Sequence, residues 1–306
     1  MNIIEKAAQR LKQPVPGSLV EKAAQRLTSD GADQDVAAAR DEAPPAAGAG
    51  AEPGETTDAP RRSRRATIDF DRLSAVGMLT PFGKRTRLAE EFRVIKRPLL
   101  RKAFARGAGA IENGHLIMVT SAGPQEGKTF TAVNLAISIA SERDLTVLLV
   151  DADFARPGVM RTLGLRSDKG LSDVLDDGDL DLSDVLIRTN LENLAILPPG
   201  RADPFATEML ASERMGRLIQ EIAERYSDRV IIFDSPPILA SSEPAVLAMY
   251  MGQILFVVEA ERTSQVAVRE ALGMIDSCSN IGLVLNKARS RLGAELFGSY
   301  YDYARD

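Results

Sequence analysis

Eight consecutive residues, Ala122-Gly123-Pro124-Gln125-Glu126-Gly127-Lys128-Thr129, set a glycine-bearing turn in front of a lysine and a hydroxyl. The apolar run Leu116 to Val119 precedes the turn and a helical pattern starts at Lys128. This is the strand-loop-helix setting of a P-loop, with Ala122 where the strict pattern has glycine. Backbone N–H groups at a helix N-terminus cradle phosphate oxygens, the lysine reaches the β- and γ-phosphates, and the hydroxyl holds Mg²⁺. The expected nucleotide contacts are Gly123, Pro124, Gln125, Glu126, Gly127, Lys128, Thr129 and Phe130, and the implied cofactors are ATP and Mg²⁺. Two acidic strand ends follow. Leu148-Leu149-Val150-Asp151-Ala152-Asp153 closes one apolar run, and alternation puts Asp151 and Asp153 on the same side. Ile231-Ile232-Phe233-Asp234-Ser235-Pro236-Pro237 closes another in the manner of a Walker B element. Asn286 ends the last expected strand, where reading an adenine and capping the strand are equally open.

Six short apolar runs must become strands to position these residues: Leu116 to Val119, Val147 to Val150, Leu194 to Leu197, Val230 to Phe233, Ile254 to Val258 and Ile281 to Leu285. Helical segments are expected over 128–142, 207–225 and 263–277. Continuous apolar strands alternating with helices predict a doubly wound, mainly parallel α/β sheet covered on both faces, in a P-loop NTPase fold. Ligands then sit outside the carboxyl ends of the strands, where the motifs fall. Leu88, Phe92, Ile95 and Leu99 recur at helical spacing ahead of the sheet, and Pro98 is expected to kink or restart that helix.

The remaining regions divide the chain. Residues 1–27 hold the repeat EKAAQRL twice, each copy behind an apolar pair, and predict two short amphipathic helices. From Gly31 to Pro60, eighteen of thirty residues are Ala, Gly or Pro, and none is aromatic, so 28–67 is expected to be a disordered linker. The domain is placed at 68–290 and a tail at 291–306. A single cysteine, Cys278, excludes an internal disulfide framework and favours a reducing compartment. No run approaches the roughly 18 apolar residues of a membrane span, so a cytoplasmic location is expected. The net charge of -5 conceals fourteen basic against four acidic residues from Arg61 to Arg106. No aromatic platform accompanies that charge, which disfavours nucleic acid and leaves a solvated face or a membrane-proximal partner.

VTSAGPQEGKT, LLVDADFARP and IIFDSPP together resemble the bacterial tyrosine kinases (BY-kinases) of polysaccharide biosynthesis and export. AEEFRVIKRPLL, GKTFTAVNLAISIA, ATEMLAS, VVEAERT, LVLNKA and a tyrosine-rich end are similar to the exosortase-associated (PEP-CTERM) autokinase branch. The resemblance implies that Lys128 and Thr129 serve phosphates and Mg²⁺, that Asp153 and Asp234 hold the metal with Thr129, and that Asp151 is the base. It also implies that Tyr300, Tyr301 and Tyr303 accept phosphate from a neighbour in a homo-oligomer. A separate inner-membrane chain-length protein would be the activating partner. Two departures are visible. The arginine expected two residues after Asp153 is Ala155, with Arg156 behind it, and the Glu-x-x-Arg-x-x-Arg oligomer motif appears as Glu90, Arg93 and Lys96. Two rival readings remain at this point. In a partitioning-type ATPase switch a signature lysine would stand at Gly123; a catalytically dead regulator of the export complex is kept open by Ala155.

Overall fold

The computed structural model describes residues 64–81, 83, 86–177, 180–201 and 206–288, all inside the unit Asp58–Asp306. The chain begins with β1 (Arg64–Ala66), α1 (Phe70–Ala75) and α2 (Arg87–Ala103), then β2 (Leu116–Ser121), α3 (Lys128–Ala140) and β3 (Val147–Asp151). Short elements follow: α4 (Val159–Leu163), α5 (Leu171–Asp176), α6 (Leu182–Val185), β4 (Ile187–Thr189), β5 (Leu194–Leu197) and α7 (Ala206–Leu210). The last elements are α8 (Glu213–Arg225), β6 (Val230–Asp234), α9 (Glu243–Ala248), β7 (Gln253–Glu259), α10 (Gln265–Met274) and β8 (Ile281–Asn286).

These strands form one sheet in the order β1-β4-β5-β3-β6-β2-β7-β8. Every pairing is parallel except β4 with β5. The apolar runs are continuous because each strand feeds two cores. In β2, Leu116 and Met118 enter the core shared with α5 to α10, while Ile117 and Val119 enter the one shared with α1 to α4. The expected P-loop NTPase architecture is therefore present, with helices on both faces of the sheet.

Three local expectations change. The linker was expected to run to 67, but Arg64–Ala66 pair in parallel with Ile187–Thr189 as strand β1. Neither β1 nor β4 carries the apolar run that marks the central strands, because each is exposed for part of its three residues. Pro98 does not break α2, which continues to Ala103. The carbonyl that Pro98 leaves without an N–H partner belongs to Val94, which is exposed, so water can satisfy it. The helix expected over 207–225 is two helices, because Ser212 caps α8 by accepting from Met215 N–H. The repeat helices of 1–27, residues 28–63 of the linker and the tail 291–306 lie outside the described residues. Among the described residues no helix is long and apolar enough to cross a membrane.

Candidate active site

Three neighbouring strands, β3, β6 and β2, bring the motifs together at their carboxyl ends. Asp151 and Asp234 are register partners as the last residues of β3 and β6, and β2 ends beside them in the loop that leads to α3. Gly127 starts α3 at φ 101°, a left-handed conformation that favours glycine. A Cβ there would also come within 2.0 Å of Asn286 Nδ2. The loop thus delivers Lys128 and Thr129 to the first turn of α3, facing the carboxylates.

Thr129 Oγ1 donates to Asp234 Oδ2 at 2.6 Å. Lys128 Nζ stands 4.0 Å from Asp153 Oδ2, and Asp153 Oδ1 accepts from Arg156 N–H at 3.0 Å. Asp151 Oδ2 accepts from the N–H groups of Gly158 and Val159, at 3.1 and 3.0 Å. Asp151 and Asp234 are completely buried, yet Oδ1 of each has no hydrogen-bond partner. Burial, then the neighbouring Asp234 charge, holds the Asp151 carboxyl well above its ordinary range. Burial pushes Asp234 up to about 7 against the hydrogen bond from Thr129 and the charge of Lys128. Asp153 is raised by burial and held back chiefly by Lys128.

The orphaned Asp234 Oδ1 in this buried site fits a bound cation, which would supply the missing partner and relieve the like-charge repulsion among the carboxylates. No group of three or more carboxylate, histidine or cysteine ligands that could hold a metal by itself occurs among the described residues. Mg²⁺ takes one or two protein carboxylates and completes its shell from substrate phosphates and water, and Thr129 and Asp234 are a hydroxyl and a carboxylate that could hold it.

Several expected contacts sit differently. The Glu126 side chain is turned into the protein: its Oε1 accepts from Thr263 Oγ1 at 2.7 Å and its Oε2 from Ala122 N–H at 3.1 Å. Phe130 packs its ring on Phe92 of α2, with centroids 6.4 Å apart, so only its backbone is left for a nucleotide. Asn286 Nδ2 donates to the Glu126 carbonyl at 2.8 Å, which makes it a tie between β8 and the P-loop. Gly123, Pro124 and Gln125 lie along the open side of the loop, the last two exposed. Lys96 is not presented outward for an oligomer contact. It is buried, donating to the Ser138 carbonyl at 2.6 Å and pairing with Glu142 at 2.7 Å. Glu90 and Arg93 form an ion pair with each other on α2. Arg156 is exposed beside Asp153 and Ala155 is exposed before it. Tyr300, Tyr301 and Tyr303 lie outside the described residues.

Thr263, Glu259 and Lys287 were missed by sequence reasoning. A lysine directly after Asn286 was the available signal. His115 is half-buried with Nε2 3.2 Å from the Ala223 carbonyl, and burial lowers its pKa. A cavity of about 860 Å³ opens where β2, β7 and β8 begin, beside Asn113, Gly216, Tyr250 and Cys278. It lies at the end of the sheet away from the carboxylates.

Residues 116–286 match the family described as AAA domain. The tyrosine-protein kinase wzc of Salmonella typhimurium is 32% identical over 196 residues, 63% of this chain and 27% of that protein. The tyrosine-protein kinase YwqD of Bacillus subtilis is 31% identical over 172 residues, 56% of this chain and 71% of that protein. The solved kinase domain of the Escherichia coli tyrosine kinase ETK is similar at a TM-score of 0.57 and 27% identity, covering 74% of this chain and 91% of that one. This chain spans about a quarter of the first of these relatives.

Proposed function

We propose, for a chain that belongs to the bacterial tyrosine-protein kinase family and carries its AAA domain, transfer of the ATP γ-phosphate to tyrosine hydroxyls. The observation that carries this reading is the pair of register-matched, buried carboxylates Asp151 and Asp234, each with an unpartnered oxygen, facing Lys128 and Thr129.

Transfer of a phosphoryl group rests on positioning and on neutralising charge. Lys128 faces the β- and γ-phosphates while the N–H groups of Gln125, Glu126 and Gly127 hold their remaining oxygens, Pro124 having no N–H to give. Thr129, Asp234 and Asp153 would hold Mg²⁺, which when bound would neutralise negative charge on the phosphates. Asp151 Oδ2 is fixed by Gly158 and Val159, which leaves Oδ1 to take the tyrosine proton as the new P–O bond forms and ADP departs. A tyrosine hydroxyl with a pKa near 10 gains from such an acceptor. Charge neutralisation next to Asp151 is what brings its carboxyl into the ionised form that this role requires.

The acceptors in this reading are Tyr300, Tyr301 and Tyr303 of a neighbouring subunit in a homo-oligomer. From Lys287 to Tyr303 the chain spans on the order of 55 Å when extended, enough to enter a second site. The resemblance to the exosortase-associated branch supports a role in exopolysaccharide synthesis or export. It also supports a cytoplasmic enzyme held at the inner membrane by a chain-length partner. A regulator that binds ATP without transfer is the second reading, favoured by Ala155 standing where the family has arginine.

The trans reaction is tested by mixing Lys128→Ala, which keeps its tyrosines, with a Tyr300→Phe, Tyr301→Phe, Tyr303→Phe chain, which keeps its site. Phosphotyrosine in the Lys128→Ala chain is the expected result. A mixture without any, beside an active wild type, contradicts transfer between subunits.

A further inference from the structure

Lys287 stands one residue beyond β8 in the left-handed backbone region, at φ 58°. Its Nζ donates to the Gln125 carbonyl at 2.8 Å and pairs with Glu259 Oε2 at 3.2 Å. Gln125 is also left-handed, at φ 66°, without being glycine. The adjoining Glu126 carbonyl is taken by Asn286 Nδ2 at 2.8 Å. The Glu126 carboxylate, 6% exposed, is held by Thr263 Oγ1 at 2.7 Å and by Ala122 N–H at 3.1 Å. Arg262 Nη1 completes the group at 3.4 Å from Glu259 Oε2. Two successive carbonyls of the P-loop and the side chain between them are therefore gripped from the end of β8 and from the turn joining β7 to α10.

The grip bears on phosphate binding through the geometry of the peptide unit. In a trans peptide the carbonyl and the following N–H point in opposite directions. Fixing the Gln125 and Glu126 carbonyls towards Lys287 and Asn286 fixes the N–H groups of Glu126 and Gly127 towards the other side of the loop. Those N–H groups belong to the cradle that an anion needs. Left-handed backbone at residues with a Cβ persists only where the surroundings support it, and at Gln125 the hydrogen bond from Lys287 Nζ to its carbonyl is one such support.

We propose that Lys287, with Thr263 and Glu259, is a strap that positions the P-loop, so that nucleotide affinity depends on the root of the C-terminal segment. By linkage, a nucleotide in the loop tightens that root in return. These are positioning residues: they act on the phosphates through Gln125, Glu126 and Gly127. The inference rests on the P-loop as a nucleotide site and not on tyrosine as acceptor.

Titration calorimetry of the full chain with ADP and with ATP, each with Mg²⁺, tests it in 0.15 M and 0.5 M NaCl. Lys287→Met and Thr263→Val are each expected to weaken binding about three- to tenfold, as loss of one such hydrogen bond does. The loss should be equal for ADP and ATP and persist at 0.5 M salt, where the screening length is about 4 Å. Lys287→Arg should bind within about threefold of wild type, since it returns the donor. Unchanged affinity in both Met and Val variants overturns the strap. A loss confined to ATP would make Lys287 a γ-phosphate ligand, and one that vanishes in salt would reduce it to charge attraction; either overturns the proposal. Thermal melting accompanies each variant, and if Lys287→Met does not fold, Thr263→Val, which keeps charge and volume, decides alone. A wild type that binds ADP but forms no phosphotyrosine removes the kinase reading and leaves the strap standing.

Discussion

Lys128 is 8% exposed and its ammonium stands 4.0 Å from the Asp153 carboxylate. Its replacement by alanine keeps the loop backbone and removes the cation opposite the β- and γ-phosphates. Autophosphorylation by Lys128→Ala should fall by about 10² or more, with thermal melting close to wild type. Phosphotyrosine at the wild-type rate would contradict the assignment of this lysine. Asp234 makes a pH prediction. Its folded pKa is raised to about 7 from the ordinary 3.8, so the folded chain binds the extra proton between those values. The stability it contributes is complete below about pH 4 and is lost as pH rises through about 7. The nucleotide-free wild type should therefore lose melting temperature relative to Asp234→Asn between pH 5 and pH 8, and the asparagine variant should be the more stable at pH 8. Parallel melting curves across that range would show that burial does not penalise the Asp234 carboxylate.

The helix α2 meets the end of α3 through Lys96, whose ammonium caps the Ser138 carbonyl in the last turn of α3 and pairs with Glu142. A cation at a helix C-terminus is favoured by the helix dipole as well as by the hydrogen bond. Lys96→Met should lower the melting temperature by about 2 to 10 °C, as a loss of ~1–3 kcal/mol does in a domain of this size. Light scattering should show an unchanged mass, because this side chain is engaged within its own chain; a changed mass would return Lys96 to an intersubunit contact. The sequence made the central elements legible because strands buried on both faces leave continuous apolar runs, and because the P-loop and the two acidic strand ends carry local patterns. It concealed β1 and β4, three-residue strands without such runs. It concealed the division between α7 and α8, which a single capping hydroxyl at Ser212 makes. At the site, residue types announced Lys128, Thr129, Asp151, Asp153 and Asp234. The inward turn of Glu126 and the grip of Lys287 depend on contacts across more than 130 positions of sequence, and no local pattern records them.

At the scale of the whole molecule the acceptor segment and the site have opposite electrostatic demands. In the proposed reaction between subunits a tyrosine tail would be nearly neutral on entering a neighbour's site lined by Asp151, Asp153 and Asp234. Each phosphate then adds about -1.5 to -2 charge near neutral pH. After departure of ADP and Mg²⁺ that charge would face carboxylates at close range and the tail would be expelled. The dephosphorylated protein should scatter light as an oligomer and the extensively phosphorylated protein as a monomer at equal concentration and salt. One mass for both forms would contradict this switch and leave the chemistry untouched. The chemistry itself is tested by the intact mass of purified, dephosphorylated protein after incubation with ATP and Mg²⁺, followed by peptide mapping. The account predicts stepwise additions of phosphate located at Tyr300, Tyr301 and Tyr303 and lost in Lys128→Ala. A chain that hydrolyses ATP to ADP while its own mass and its tyrosines stay unchanged would contradict it.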